Sequence, residues 1–337
     1  MLKKALLAVA IGLVGFTAVF AQQPKDFVFI GDVKYNQIMV NASKPDFVAK
    51  FELGEKAENV GGHKQDVNRY TEGFPNAFRG GSTDSEIWIL DAINGFLKLF
   101  DGNELKKSVE IKAMGNVHDF AISNDNKYIA FLNRTTGVIY ITDMSGRELA
   151  KATGYEYANS VEFTSDNHIL VVHPMGQGIA KLDIAGELKD TYIADETLTN
   201  ISNESGLWGF EGMFTTNAKL VVRTSTDPDA VKVVAEFPFN EYKSKEVLYK
   251  GADIYGFDVE GNIYFGLTAC DPLGVIYRDR LYKCSTDGKI LKELDILDHS
   301  VVSPNLPRHK TVNKFGRVYS VDADYKNYYL QSWEMGK

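Results

Sequence analysis

Six histidines, two cysteines and a recurring set of aspartates are the side chains from which this chain would build a reactive centre. The histidines are His63, His118, His168, His173, His299 and His309. His168 and His173 share one strand-like run, HILVVH, five positions apart. An odd spacing on a strand sends two side chains to opposite faces, so this pair does not share a metal. His118, in NVHDF, and His309, in PRHK, fall in different parts of the chain, and a closed fold would bring both toward one central opening. Cys270 and Cys284 lie on successive expected strands around DPLGVIYRDR. A hairpin staple and two half-buried thiols both fit that spacing, because strand register decides whether the Cβ atoms meet. Two cysteines alone do not make a zinc site. Asp91, Asp143 and Asp183 recur at strand ends, and recurrence points to turn-fixing Asx hydrogen bonds rather than catalysis. HExxH, GxSxG and Walker sequences are absent, so zincin, α/β-hydrolase and P-loop chemistry lack their signatures.

The elements that would position these groups are legible as a repeat. TDSEIWILD, NDNKYIAFLN, SDNHILVVH, TNAKLVVRT, VEGNIYFGL and KFGRVYSVD each join a polar turn to an apolar strand. The first apolar residue after each turn is Ile87, Tyr128, Ile169, Leu220, Ile263 and Val318, and subtraction gives spacings of 41, 41, 51, 43 and 55 residues. A second strand follows a break in each unit (GFLKLFD, GVIYITD, GIAKLDI, AVKVVAEF, RLYKCST, NYYLQSW), then a tight turn such as Asp101-Gly102 or Ser145-Gly146. Periods of this size with several strands per unit mark propeller blades. The spacing predicts an all-β fold, a six-bladed β-propeller of four-stranded antiparallel blades. The sixth unit ends at NYYLQSWEMGK without an outermost strand, while PDFVAKFELGE, Pro45 to Glu55, is an unclaimed one. Ring closure by that N-terminal strand in the last blade satisfies both and leaves no open edge there. Two stacked β-sandwiches are the competing arrangement, disfavoured by the constant order of turns within each unit.

Residues 1–21 read as a secretory signal peptide: Lys3 and Lys4, the apolar run ALLAVAIGLVGFTAVFA, then small residues at Val19-Phe20-Ala21. An uncleaved anchor is the alternative, since the run approaches spanning length. Residues 22–45 form a lead-in and 46–337 a single propeller domain. Cleavage leaves 35 basic against 45 acidic residues and no dense basic cluster, which excludes nucleic acid as a partner. No second apolar run is long enough to cross a bilayer, so the mature chain is expected without an integral segment, in the periplasm or outside the cell. Two stretches exceed the economy of the repeat, Leu188 to Phe214 and Glu293 to Val312. Function concentrates on loops held by a rigid scaffold, and Trp208, Phe210, Tyr255 and Arg308 are the expected aromatic and cationic binding rim. The segment Gly61 to Phe74 is expected to link the closing strand to the first blade.

GFPNAFRGGSTDSEIWILDAINGFLKLFDGNELKKSVEI resembles a blade of the NHL-repeat and related six-bladed propellers, including the gluconolactonase-like, regucalcin-type group. The resemblance covers the chain from about Phe74 onward and implies a central channel. In the gluconolactonase-like group, oxygen ligands from several blades bind one divalent cation. Carried over, it implies Glu72 in EGFPNAF, Asn159 in NSVEFTSDN, Glu211 in FEGMF and His118 in NVHDF as metal ligands, with Glu211 in place of an Asp and His118 in place of an amide. The expected function is a non-enzymatic binding or scaffold module for a protein, peptide or glycan, with no cofactor. The alternative is a Ca²⁺-type lactone or ester hydrolase.

Overall fold

A computed structural model describes residues 42–61, 75–173, 178–192, 198–227, 229–239, 247–272, 276–296, 310–323 and 327–336. The chain folds as six sheets of four antiparallel strands each. The first blade is β2 (Ala77–Gly80), β3 (Glu86–Asp91), β4 (Phe96–Asp101) and β5 (Glu104–Glu110), in that order outward. The second runs β6 (Asp119–Ile122), β7 (Tyr128–Asn133), β8 (Val138–Asp143) and β9 (Glu148–Ala152). The third comprises β10 (Ser160–Phe163), β11 (Ile169–Val172), β12 (Ile179–Leu182) and β13 (Leu188–Tyr192). The fourth holds β14 (Leu198–Asn203), β15 (Gly206–Glu211), β16 (Asn217–Arg223) and β17 (Val231–Pro238). The fifth has β18 (Leu248–Phe257), β19 (Ile263–Cys270), β20 (Ile276–Cys284) and β21 (Ile290–Asp295). The sixth is β22 (Lys310–Val312), β23 (Arg317–Ala323) and β24 (Asn327–Glu334), completed by β1 (Asp46–Glu52). The innermost strands β2, β6, β10, β14, β18 and β22 each approach the next, and β22 approaches β2, so the circle is closed.

The packing follows from the two-residue period of a strand. Ile87 and Ile89 of β3 face the seam with the sixth blade, while Trp88 and Leu90 of the same strand face the second. In β7, Ile129 and Phe131 return to the first blade, and Ala130 and Leu132 go forward to the third. Both faces of each second strand are therefore buried, which is why these strands read as continuous apolar runs rather than alternating ones. The clasp is where the sequence placed it: β1 pairs with β24 from Asp46↔Ser332 to Glu52↔Asn327, and the Phe51 ring packs, tilted, with its centroid 4.5 Å from that of Phe100 of the first blade.

The fourth blade departs from the expected register. TNAKLVVRT supplies β16, the third strand, and AVKVVAEF supplies β17, the fourth. The second strand is β15, entered through the turn Asn203 to Gly206. Asn203 Oδ1 accepts from the Ser205 N–H (2.8 Å) and from the Trp208 indole N–H (2.9 Å). Gly206 is required there: its φ is 130°, and a Cβ would lie 2.1 Å from the Arg223 carbonyl oxygen. Counted from Leu207, the spacings across this blade become 38 and 56 residues. The cysteine question resolves as well. Cys284 pairs across from Ile263 and Cys270 from Ile276, at opposite ends of the β19–β20 ladder, and both are free buried thiols.

Candidate ligand-binding face

An even number of strands per blade puts every blade-to-blade connection at one end of the ring. We call this end the crossover rim and the other the turn rim. At the crossover rim, successive strand ends are separated in sequence by the long stretches 53–76, 239–247 and 296–309. The turn rim is built from short turns whose polar groups satisfy one another. Ser123 Oγ accepts from the Lys127 and Tyr128 N–H groups, Thr164 Oγ1 from His168 N–H, and Asp258 Oδ1 from Glu260 and Asn262 N–H. Asn313 Oδ1 does the same for Phe315 and Arg317. Asp143 and Asp183 are turn-fixing residues as expected, each accepting two N–H bonds within four residues. A latch joins the sixth blade to the first on this rim, where Asp84 meets the Arg317 guanidinium at 3.2 Å and the Asn313 amide at 3.1 Å.

Asp91 is different. It sits on the crossover rim at the end of β3, fully buried, with Lys98 Nζ 2.8 Å from Oδ2. Its Oδ1 accepts from Gly61 N–H at 3.0 Å, and Lys98 also donates to the Asn59 carbonyl. Asn94 donates to the Gly54 and Gly61 carbonyls. This polar knot ties the strap 54–61 onto the first blade.

The mouth of the ring on the crossover side repeats one position. The N–H groups of Asn76, His118 and Asn159 donate to Leu90, Leu132 and Val172 at the ends of the second strands. Three successive blades thus place an Asn, a His and an Asn where their innermost strands begin. The Asn76 amide reaches the Val117 carbonyl of the next blade at 2.7 Å. Behind this mouth lies a charged cluster that sequence reading missed. Arg79 of β2 donates from Nη2 to Asp119 Oδ1 on β6 at 2.7 Å, and its Nε lies 3.7 Å from Glu162 Oε2 on β10. A side chain reaching past one blade to the next runs along the axial side, where the innermost strands converge. Asp119 Oδ2 accepts the Val161 N–H, locking the carboxylate between two blades. Aligning the strands by their pairing puts Arg79, Ala121 and Glu162 at one level, the signal by which the repeat could have revealed the cluster.

His118 is half-buried, and its Nδ1 accepts the Arg134 N–H at 3.1 Å. That bond leaves the ring proton of the neutral form on Nε2, as a donor. Burial first, and the Arg134 charge second, hold its pKa below the ordinary 6.5. Because the folded value is depressed, the stabilising contribution is complete above the unfolded pKa and lost as pH falls through the folded one. Between about pH 7.5 and about pH 5, the melting temperature of the native chain is expected to fall more steeply than that of His118→Gln. Parallel pH profiles of the two chains would refute this.

The expected binding rim is corrected by the structure. Trp208, Phe210 and Tyr255 are 0%, 3% and 6% exposed. Trp208 and Phe210 belong to β15 and pack in the seam between the fourth and fifth blades, and Tyr255 of β18 fills the seam between the fifth and sixth. They are core, because the stretch from Leu188 supplies the strands β13, β14 and β15 instead of a loop, and Tyr255 lies inside the ten-residue β18. Arg308 lies outside the described residues, as does Glu72. Of the implied metal ligands, His118 and Asn159 share the mouth. Glu211 ends β15, one strand further from the axis, as a consequence of the fourth blade's shifted register. Among the described residues no three His, Cys, Asp or Glu side chains converge as a metal-holding group.

The exposed aromatics of the crossover rim are others. Tyr157 and Phe214 are each 69% exposed, in the connections 153–159 and 212–216. The connection 153–159 lies against the turn 134–137: Tyr157 N–H donates to the Arg134 carbonyl and Tyr155 N–H to that of Gly137, both at 3.0 Å. The Tyr155 ring lies over His173, centroids 5.2 Å apart. His118, Arg134, Tyr155, Tyr157, Asn159 and His173 thus form one linked stretch of rim.

No protein-family model matches the chain, and no curated protein does. Among solved structures it is similar to the hydrazine synthase of Kuenenia stuttgartiensis, at 12% identity and a TM-score of 0.46, over 74% of this chain and 76% of that one.

Proposed function

We propose that this chain is an exported propeller of the NHL-repeat and gluconolactonase-like kind. It acts as a non-enzymatic module that binds a protein, peptide or glycan through its crossover rim. The observation that carries the reading is the placement of two strongly exposed aromatics in left-handed backbone, Tyr157 and Phe214, on the crossover rim, whereas the turn rim has asparagines in that conformation. Export rests on the leader-like residues 1–21, and no helix among the described residues is long and apolar enough to cross a membrane. Of the ligands implied for a divalent-metal hydrolase that fall among the described residues, His118 and Asn159 stand at the mouth and Glu211 does not, so we place that reading second.

The test is capture of a partner from the cell envelope by the mature chain, whose first residue by terminal sequencing is expected to be Gln22. A double variant of the crossover rim, Arg134→Ala with Tyr157→Asn, is expected to lose capture. One on the turn rim, Lys127→Ala with Arg147→Ala, is expected to keep it, both side chains being exposed there. Equal capture by both variants, or loss only from the turn rim, would overturn the reading.

A further inference from the structure

Four non-glycine residues among those described have left-handed backbone: Asn126, Tyr157, Asn167 and Phe214, with φ of 55°, 65°, 61° and 62°. The two on the turn rim are asparagines, the side chain that tolerates this conformation with least strain. The two on the crossover rim are aromatic. A left-handed L-residue costs roughly 1–2 kcal/mol. Burial does not offset that cost at Tyr157 or Phe214, because both rings stand in solvent. The same chain uses Asn where only a turn is needed, so folding does not account for an aromatic ring at these two places. Strain held at an exposed side chain points to a ligand.

The surroundings of Tyr157 define the ligand. Its neighbours in the chain include exposed Glu156 and Asn159, its N–H is bonded to the turn that carries exposed Arg134 and Thr135, and Tyr155 lies over His173. His173 Nδ1 is buried and has no hydrogen-bond partner among the described residues. This is a flat ring among side chains that donate and accept, with one positive charge, Arg134, and one negative, Glu156, close to balance around it. Among the described residues, the exposed large apolar side chains of this rim, Ile93, Tyr157 and Phe214, sit apart on separate blades, so each offers a single ring or side chain rather than a joined surface. A sugar ring matches the site: one face of C–H bonds to lie on the aromatic ring, and hydroxyls that donate and accept at its edge. We propose that Tyr157 is the stacking platform of a neutral-saccharide subsite on the crossover rim, with Asn159, Arg134 and His173 as its polar partners. Phe214 provides a second, separate platform for a longer chain. This deepens the binding reading and rests on it.

The test is affinity electrophoresis of the mature chain in gels holding a β-glucan, a xylan, a mannan or an α-glucan. The native chain is expected to be retarded by at least one of the four. Tyr157→Asn is expected to weaken retardation roughly tenfold or more, with a melting temperature equal to or above that of the native chain, because the strain is relieved. Tyr157→Trp, which keeps the platform, is expected to retain it. Retardation by none of the four overturns the saccharide subsite, as does undiminished retardation of Tyr157→Asn or its loss together with a fall in melting temperature. If the rim variant loses capture of a protein while no polysaccharide retards the native chain, the subsite fails and the broader binding reading stands.

Discussion

A chain lacking residues 42–52 is expected to lose its cooperative unfolding transition and to aggregate. Those residues hold β1, the strand that completes the sixth blade. Its removal bares the full edge of β24, from Asn327 to Ser332, and an unpaired apolar edge is a template for pairing with another chain. It also opens the seam in which Ala49, Phe51 and Leu53 pack against Phe78, Phe100, Tyr319 and Tyr328. The smaller change Phe51→Ala tests the same seam without cutting the chain. Emptying a buried phenylalanine costs about 3–5 kcal/mol, which is a large fraction of a domain's stability. Circular dichroism on heating checks both. A truncated chain that melted cooperatively at the native temperature would show that the circle does not depend on its clasp.

Asp91→Ala is expected to cost about 3–5 kcal/mol of unfolding free energy, because it strands the Lys98 ammonium in the interior. Lys98 is 2% exposed, and the Asn59 carbonyl that would remain to it is neutral. The same substitution frees the Gly61 N–H and one acceptor of Asn94, so the strap 54–61 is expected to exchange its amide hydrogens faster. Asp91→Leu combined with Lys98→Met removes both charges and is expected to recover most of the loss. Urea titration gives the free energies, and a double variant as unstable as Asp91→Ala would contradict the assignment.

The circle was legible because its evidence is periodic. Turn residues such as Asp84, Asp125 and Asp166 return at intervals of 41 residues, and strands buried on both faces read as the unbroken runs IWIL, IAFL and ILVV. The clasp was legible by subtraction, one strand missing at one terminus and one unclaimed near the other. The fourth blade was misread because two turns competed for one role. Asn203 to Gly206 is the true first hairpin, but Thr216-Asn217 followed by an apolar strand imitates the turns of its neighbours. That slip carried Glu211 toward the axis on paper and turned Trp208 and Phe210 into loop residues. Pattern alone does not tell an enlarged loop from a lengthened strand, and β18, which holds Tyr255, runs ten residues. The axial cluster joins side chains 40 and more positions apart, so only an alignment of strand registers brings Arg79, Asp119 and Glu162 together. Tyr157 carries no sequence signal, since a left-handed φ at a tyrosine leaves no mark on composition.

The measurement that bears most directly on the binding account is a hydrogen-exchange footprint of the mature chain with its captured partner. Slowed exchange is expected in the amides of 134–137 and 153–159, on the crossover rim, with 123–127 and 164–168 unchanged. Protection confined to those two turn-rim segments would mean that the partner sits on the opposite end of the ring.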